Sequence, residues 1–149
     1  MTGKKPNNKA LVQLTSDDKP EIFAEKVKHL MENIVGKTDV LLFAHADWCP
    51  HCRFMTPEWN KAIARVADIP QKHLSIIDIK DNCMHKIMKD YPKELLTEIL
   101  RKSVRGYPTI AFIRIDKVKE GPRCSIHTFM DERTAPLLEK FIRKNARGK

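Results

Sequence analysis

Residues 47–52 of the chain read DWCPHC, a motif in which two residues separate a pair of cysteines. Upstream, the apolar run VLLFA at residues 40–44 is typical of a strand that is buried on both faces. Downstream, apolar residues recur at helical spacing over residues 54–66. Cys49 is the predicted N-cap and Pro50 the first helical residue, where a missing N–H costs nothing. The pattern therefore places the sulfur of Cys49 at the positive end of a helix.

The two cysteines form a candidate redox-active dithiol. The thiolate is the nucleophile in disulfide exchange, and a free thiol with a pKa of about 8.5 is mostly protonated at neutral pH. The helix dipole, the first-turn N–H groups and His51 all favour an anionic Cys49. We therefore expect Cys49 to attack and Cys52, one turn further in, to resolve the mixed disulfide. The motif alone leaves half of a zinc site or a disulfide framework open.

Three segments in the same order resemble thioredoxin and protein disulfide isomerase domains. FAHADWCPHCRFMTPEW, residues 43–59, is similar to the active-site strand, turn and helix of those domains. VRGYPT, residues 104–109, is similar to the segment that carries the family's cis-proline. Arg133, Thr134 and the apolar positions that follow are similar to the last helix. The resemblance covers residues 8–145, essentially the whole chain.

The resemblance implies roles for the residues around the dithiol. Pro108 would be the cis-proline facing the cysteines, and the backbone of Tyr107 would dock an extended substrate segment by strand addition, beside Trp48. The pair Pro50-His51 tunes the potential of the cysteines, and Pro-His is typical of the strongly oxidising bacterial periplasmic family. We therefore expect a potential more oxidising than that of thioredoxin. No metal or cofactor is expected, because the redox group is a Cys49–Cys52 disulfide.

Alternating strand and helix patterns predict a single α/β domain. The order strand, helix, strand, helix, strand over residues 10–79 predicts a parallel sheet covered by helices. Two further strands are predicted to form an antiparallel hairpin before a last helix at residues 134–145. With the resemblance, this is a thioredoxin fold, in which a central mixed sheet is flanked by helices on both faces. The predicted domain spans residues 10–145, between basic tails at residues 1–9 and 146–149.

Residues 83–103 form a helical insertion before the expected cis-proline, longer than the family pattern requires. Its apolar spacing predicts two helices, or one helix that breaks at Tyr91-Pro92, with Pro92 as the first residue of the second helix. The insertion serves either as added packing or as a surface that binds a partner.

Phe43 is the main departure from the family pattern. It stands where thioredoxins and disulfide isomerases have a buried acid, and Ile76 stands where they have a neighbouring lysine. Both residues are apolar, which is self-consistent because a buried lysine without its acid would be costly. In the family, that acid helps to take the proton from the second cysteine. We therefore hypothesise that Cys52 loses its proton through water, or to Asp47 or His45.

Composition limits the remaining possibilities. The chain has 149 residues and a net charge of +9, from 28 Lys and Arg against 19 Asp and Glu. Much of the excess positive charge lies at the two ends, including Arg143 and Arg147, where we expect it to be solvated, and no specific nucleic-acid role is indicated. No apolar run is long enough for a membrane span, and residues 1–8 lack the core of a secretory signal. A cytoplasmic location is expected, with an assembly compartment or particle as the alternative.

The predicted function is a thiol-disulfide oxidoreductase that acts on protein thiols and disulfides with a thiol oxidase or reductase as its redox partner. One alternative is a redox-inert adaptor that keeps the fold for binding. Another is a zinc module that would use Cys49, Cys52, Cys83 and His85. Cys83 and Cys124 are otherwise expected to be packing residues.

Overall fold

The computed structural model describes residues 6–36 and 39–147 as five strands and five helices. In chain order these are β1 (Leu11–Leu14), α1 (Pro20–Gly36), β2 (Asp39–His45), α2 (Pro50–Arg65), β3 (Leu74–Lys80), α3 (Asp81–Asp90), α4 (Leu95–Ser103), β4 (Thr109–Val118), β5 (Gly121–Thr128) and α5 (Ala135–Asn145).

The strands form one mixed sheet in the order β1-β3-β2-β4-β5. β3 pairs in parallel with both β1 and β2, whereas β4 is antiparallel to β2 and to β5. The α/β class and the mixed central sheet that the sequence predicts are therefore confirmed. The predicted hairpin is β4 and β5, and Gly121 follows its turn with a φ of 110°, a conformation that glycine adopts without strain.

β2 lies in the middle of the sheet and is buried along almost its whole length. Leu41 and Phe43 face the cluster that contains the apolar residues of α2 and α5. Val40, Leu42 and Ala44 face the opposite cluster, which contains apolar residues of α1, α3 and α4. Burial on both faces explains the continuous apolar run in the sequence. After His45 the chain leaves the sheet at the carboxyl end of β2.

The insertion consists of α3 and α4, with Tyr91 as the residue that ends α3. The break that the sequence predicts is therefore present, but α4 begins at Leu95 and not at Pro92. Leu96, Ile99 and Leu100 are almost fully buried in the cluster on the α1 face of the sheet. The insertion thus contributes to the core, which supports the packing interpretation of its role.

The described parts of both predicted tails are bound to the domain. Asn8 donates a side-chain hydrogen bond to the carbonyl of Ile63 at 2.9 Å. Arg147 donates two hydrogen bonds to the carboxylate of Asp39, at 2.9 and 3.0 Å, and a third to Asp116. Residues 1–5 and 148–149 of the predicted tails lie outside the described residues.

Two of the terminal charges are paired, so the expectation that they are solvated is wrong for them. Arg143 bonds to the carboxylates of Asp68 and Glu139. Arg147 neutralises the charge of Asp39. The side chain of Asp39 is 5% exposed and also accepts a hydrogen bond from the backbone N–H of Ile115. A carboxylate at that depth is costly without such donors, which is the physical reason for the contact.

Within residues 6–36 and 39–147, no helix combines the length and the apolar character needed to cross a bilayer.

Replacing Arg147 by alanine should destabilise the domain, because the carboxylate of Asp39 would lose two of its three donors. The arginine side chain is 44% exposed, so solvent screens part of the interaction. We expect a loss of about 1–2 kcal/mol in the free energy of unfolding, measured by urea denaturation. Arg101→Ala, at an exposed position of α4, is the matched control and should leave the urea midpoint unchanged. Equal midpoints for the Arg147→Ala variant and the native protein would contradict this account.

Candidate active site

Cys49 is the N-cap of α2. Its backbone is extended (φ −100°, ψ 110°), and its Sγ accepts the backbone N–H of Cys52 at 3.2 Å. Pro50 follows in the first turn of the helix, as the sequence predicts. The sulfur of Cys49 therefore replaces the side-chain oxygen that an N-cap serine or aspartate would supply, and it lies where the helix dipole favours negative charge.

Cys52 lies one turn further into α2 and is more shielded than Cys49. Both cysteines are buried with Ala46 in one small cluster, and both are free thiols. Burial raises the pKa of the Cys52 thiol to about 12, and the hydrogen bond and charge of Cys49 act in the same direction. A backbone hydrogen bond from Ala46 and the positive charge of Arg133 lower this pKa in part. The two sulfurs therefore differ strongly in environment although they are neighbours.

The segment before β4 lies against the two cysteines. The peptide bond between Tyr107 and Pro108 is cis, as the resemblance implies. The Tyr107 side chain packs on the cluster of Ala46, Cys49 and Cys52, and burial raises the pKa of its phenol. Residues far apart in the sequence thus meet at the carboxyl end of β2.

Trp48 contributes an exposed aromatic surface beside the cysteines. Its side chain makes an edge contact with Tyr107, with 5.8 Å between the ring centroids, and its indole N–H donates to Asp81 at 3.0 Å. The residue is nevertheless 68% exposed. Pro50 and His51, between the cysteines, are also exposed. Every residue that the sequence nominates for the site therefore lies at this edge of the sheet.

The other two cysteines lie elsewhere. Cys83 is buried in the cluster on the α1 face, and Cys124 is half-buried against the same cluster. Burial raises the pKa of both thiols. The described residues contain no group of three or more His, Cys, Asp or Glu side chains that could hold a metal ion. Cys83 and His85 are not brought to Cys49 and Cys52, as the zinc alternative would require.

Phe43 is fully buried, and its ring stacks on His45 with 4.5 Å between the centroids. On the adjacent strand, Asp78 is in register with Phe43. Its nearly buried carboxylate is hydrogen-bonded to Nε2 of His45 and accepts a longer bond from Gln13 at 3.4 Å. The chain therefore has a buried acid near the position of the missing one, but on β3.

Sequence reasoning missed Asp78 and named Arg133 only as part of the last-helix motif. The signal for Asp78 is a single acid inside the apolar strand LSIIDIK, residues 74–80. Arg133 is exposed, yet its charge lowers the pKa of Cys52, which places it within electrostatic reach of the dithiol. Of the two hypothesised proton acceptors, Asp47 is 78% exposed and paired with Lys80 at 3.1 Å, whereas His45 is nearly buried.

Comparison with known proteins finds protein disulfide isomerases. The chain is 31% identical over 147 residues to protein disulfide isomerase-like 1-4 of Arabidopsis thaliana. The matched region covers 94% of this chain and 21% of that protein. It is 32% identical over 108 residues to the probable protein disulfide-isomerase ER-60 of Schistosoma mansoni, and this matched region covers 72% of the chain and 18% of that protein. The chain thus spans about a fifth of the length of the curated relatives it matches.

Among solved structures, human ERp44 form I superposes with a TM-score of 0.58 at 14% sequence identity. The superposition covers 90% of this chain and 29% of that one. At this level of identity the match concerns the fold alone.

The expected cytoplasmic location is wrong. The curated relatives are named protein disulfide-isomerases and include one named ER-60, which points to the endoplasmic reticulum rather than the cytoplasm.

A family model described as thioredoxin matches residues 17–144, which is most of the chain. The predicted thioredoxin fold is confirmed by this match and by the sheet topology. The relatives are named protein disulfide-isomerases and the two cysteines are adjacent, which agrees with the predicted thiol-disulfide oxidoreductase class. The chain belongs to the thioredoxin family.

Proposed function

We propose that the protein catalyses thiol-disulfide exchange in protein substrates through Cys49 and Cys52. The observation that carries this proposal is the hydrogen bond from the Cys52 N–H to the Cys49 sulfur, at the start of α2. It places one thiol at the position of a helix N-cap, where an anion is stabilised, and holds the second thiol one turn away.

In the oxidising direction, a substrate thiolate attacks the sulfur of Cys49 in the Cys49–Cys52 disulfide. The bond between the two active-site sulfurs breaks, and Cys52 leaves with the electron pair and takes up a proton. A second substrate thiolate then attacks the substrate sulfur of the mixed disulfide, and Cys49 leaves as a thiolate. The substrate loses two electrons and the dithiol gains them. In the reducing direction Cys49 attacks and Cys52 resolves the mixed disulfide.

Substrate docking is proposed at the cis-proline segment. The backbone of Tyr107, before Pro108, would pair with an extended substrate segment by strand addition, which selects little by sequence. The exposed face of Trp48 supports this proposal, since it offers apolar surface next to Cys49. Broad tolerance for unfolded or flexible protein segments follows.

The direction of electron flow is proposed from the dipeptide between the cysteines. Pro50 and His51 are exposed and belong to the first turn of α2, where they can tune the thiolate of Cys49. A more stable thiolate stabilises the reduced protein and makes the disulfide form a better oxidant. We therefore propose a potential more oxidising than that of thioredoxin, with a thiol oxidase as the partner that restores the disulfide. A thiol reductase would take that place if the protein works as a reductant.

Alkylation of the reduced native protein at pH 8 should modify Cys49 well before Cys52. With a pKa of about 12, only about one Cys52 thiol in 10⁴ is ionised at that pH. Mass spectrometry after a short exposure to iodoacetamide measures the order of labelling. In concentrated urea, all four cysteines should react alike, which serves as the control. Native labelling of Cys52, Cys83 or Cys124 as fast as Cys49 would contradict the proposed roles.

Equilibration of the Cys49–Cys52 pair with glutathione should give a reduction potential near −180 mV or higher, against about −270 mV for thioredoxin. The measurement is best made with Cys83→Ser and Cys124→Ser, which removes the other thiols. In that background, Pro50→Gly with His51→Pro should lower the potential toward the thioredoxin value. A native potential near −270 mV would make the protein a reductase and refute the proposed direction.

Reactivation of a scrambled disulfide protein tests the activity itself. The native protein should catalyse reactivation, and Cys49→Ser should reduce the rate to that of the uncatalysed reaction, because no other thiol can replace the nucleophile. Cys124→Ser is the matched control and should keep full activity. Equal rates with Cys49→Ser and with the native protein would refute the proposed function and favour a redox-inert adaptor.

A further inference from the structure

Cys52 must lose a proton before it can resolve a mixed disulfide on Cys49, because the thiolate is the attacking species. Its thiol is buried and strongly biased toward the protonated form, since burial raises its pKa to about 12. Ionisation at neutral pH without help would therefore slow the resolving step. A nearby group that accepts the proton during the attack removes much of this barrier.

His45 and Asp78 form a nearly buried pair on the face of the sheet that α2 covers. Their side chains are 14% and 10% exposed, and Nε2 of His45 is hydrogen-bonded to the carboxylate of Asp78. A carboxylate at Nε2 selects the tautomer that carries its proton there, which leaves a lone pair on Nδ1. Among the described residues, none is hydrogen-bonded to this Nδ1. In the neutral imidazole, Nδ1 is therefore the atom that can accept a proton.

His45 immediately precedes the residue whose backbone contacts Cys52. His45 is the last residue of β2, and its ring stacks on Phe43, which packs with Trp59 of α2. The next residue, Ala46, makes the backbone hydrogen bond to Cys52 and accepts the backbone N–H of Cys49 at 3.2 Å. His45 is thus directly joined to the residue whose backbone touches the Cys52 thiol.

The other charged groups around this pair have different roles. Lys80 is in register with His45 on β3, but its ammonium is paired with Asp47. Asp47 is exposed, so water and Lys80 satisfy its carboxylate. Arg133, from the loop before α5, acts on Cys52 through its positive charge. Arg133 and Lys80 cannot accept a proton, which leaves the imidazole as the buried base on this face.

We propose that His45 is the proton acceptor for Cys52 in the resolving step and that Asp78 is the positioning residue that holds its ring. The inference rests on the function proposed above. The Cys52 proton passes through water to Nδ1 of His45 as the Cys52 sulfur attacks Cys49. The Cys49–Cys52 bond forms, the bond from Cys49 to the substrate sulfur breaks, and the substrate leaves as a thiolate with the electron pair. In the reverse direction, the imidazolium returns the proton to Cys52.

The two chemical steps can be separated with an aromatic disulfide reagent whose released thiolate is coloured. Mixing the reduced protein with the dithiobis(nitrobenzoate) reagent gives a first release when Cys49 attacks and a second when Cys52 resolves the adduct. At pH 7, His45→Asn should slow the second release about 100-fold, within the range of general acid-base catalysis, and leave the first within about twofold. Asp78→Asn should slow the second release less. His85→Asn, an exposed histidine on α3, is the matched control and should change neither.

The pH dependence separates proton transfer from a structural effect. The difference in the rate of the second release between His45→Asn and the native protein should narrow as the pH rises from 7 toward 10. At high pH, hydroxide competes with the histidine as the base. A second release that is unchanged, or slowed equally at every pH, would overturn the proposal. If His45→Asn does not fold, His45→Gln and Asp78→Asn provide the same comparison. A native protein that shows no second release would instead refute the proposed function.

Discussion

The burial of β2 on both faces is the constraint on which the rest of the structure depends. With Phe43 on one side and Leu42 on the other, the strand can lie only in the middle of the sheet. The strand therefore ends with the carboxyl ends of the parallel strands, and α2 begins five residues after His45, at Pro50, with Cys49 as its N-cap. The fold thus places the Cys49 thiol at the N-terminus of α2, and the reactivity of this thiol follows from that position.

The asymmetry of the two thiols follows from the same geometry. Cys49 has the helix N-terminus and a hydrogen bond to its sulfur, whereas Cys52 is enclosed by Ala46 and Tyr107. Burial keeps Cys52 protonated, so the pair can trap a substrate on one sulfur before the other reacts. A dithiol of this kind needs a proton path, and Asp78 supplies a nearly buried carboxylate on the α2 face of the sheet.

The sequence predicts those features that depend on local patterns. The CxxC turn, the buried strand before it and the break near Tyr91 all follow from short-range spacing. Contacts between distant residues could not be predicted in this way. Asp78 meets His45 only because β3 and β2 pair in one particular register, and periodicity indicates the face of a strand but not its neighbour. The bond from Arg147 to Asp39 likewise joins residues 108 positions apart.

The most direct test of the central claim is to trap the mixed disulfide. A Cys52→Ser variant can form a covalent bond to a substrate but cannot resolve it. Incubated with scrambled protein substrates, whose disulfides Cys49 can attack with release of a substrate thiolate, and analysed by mass spectrometry, it should accumulate adducts through Cys49. The native protein should accumulate almost none, because Cys52 releases the substrate. The absence of any adduct, or adducts through Cys83 or Cys124, would contradict the claim that this chain exchanges disulfides at the start of α2.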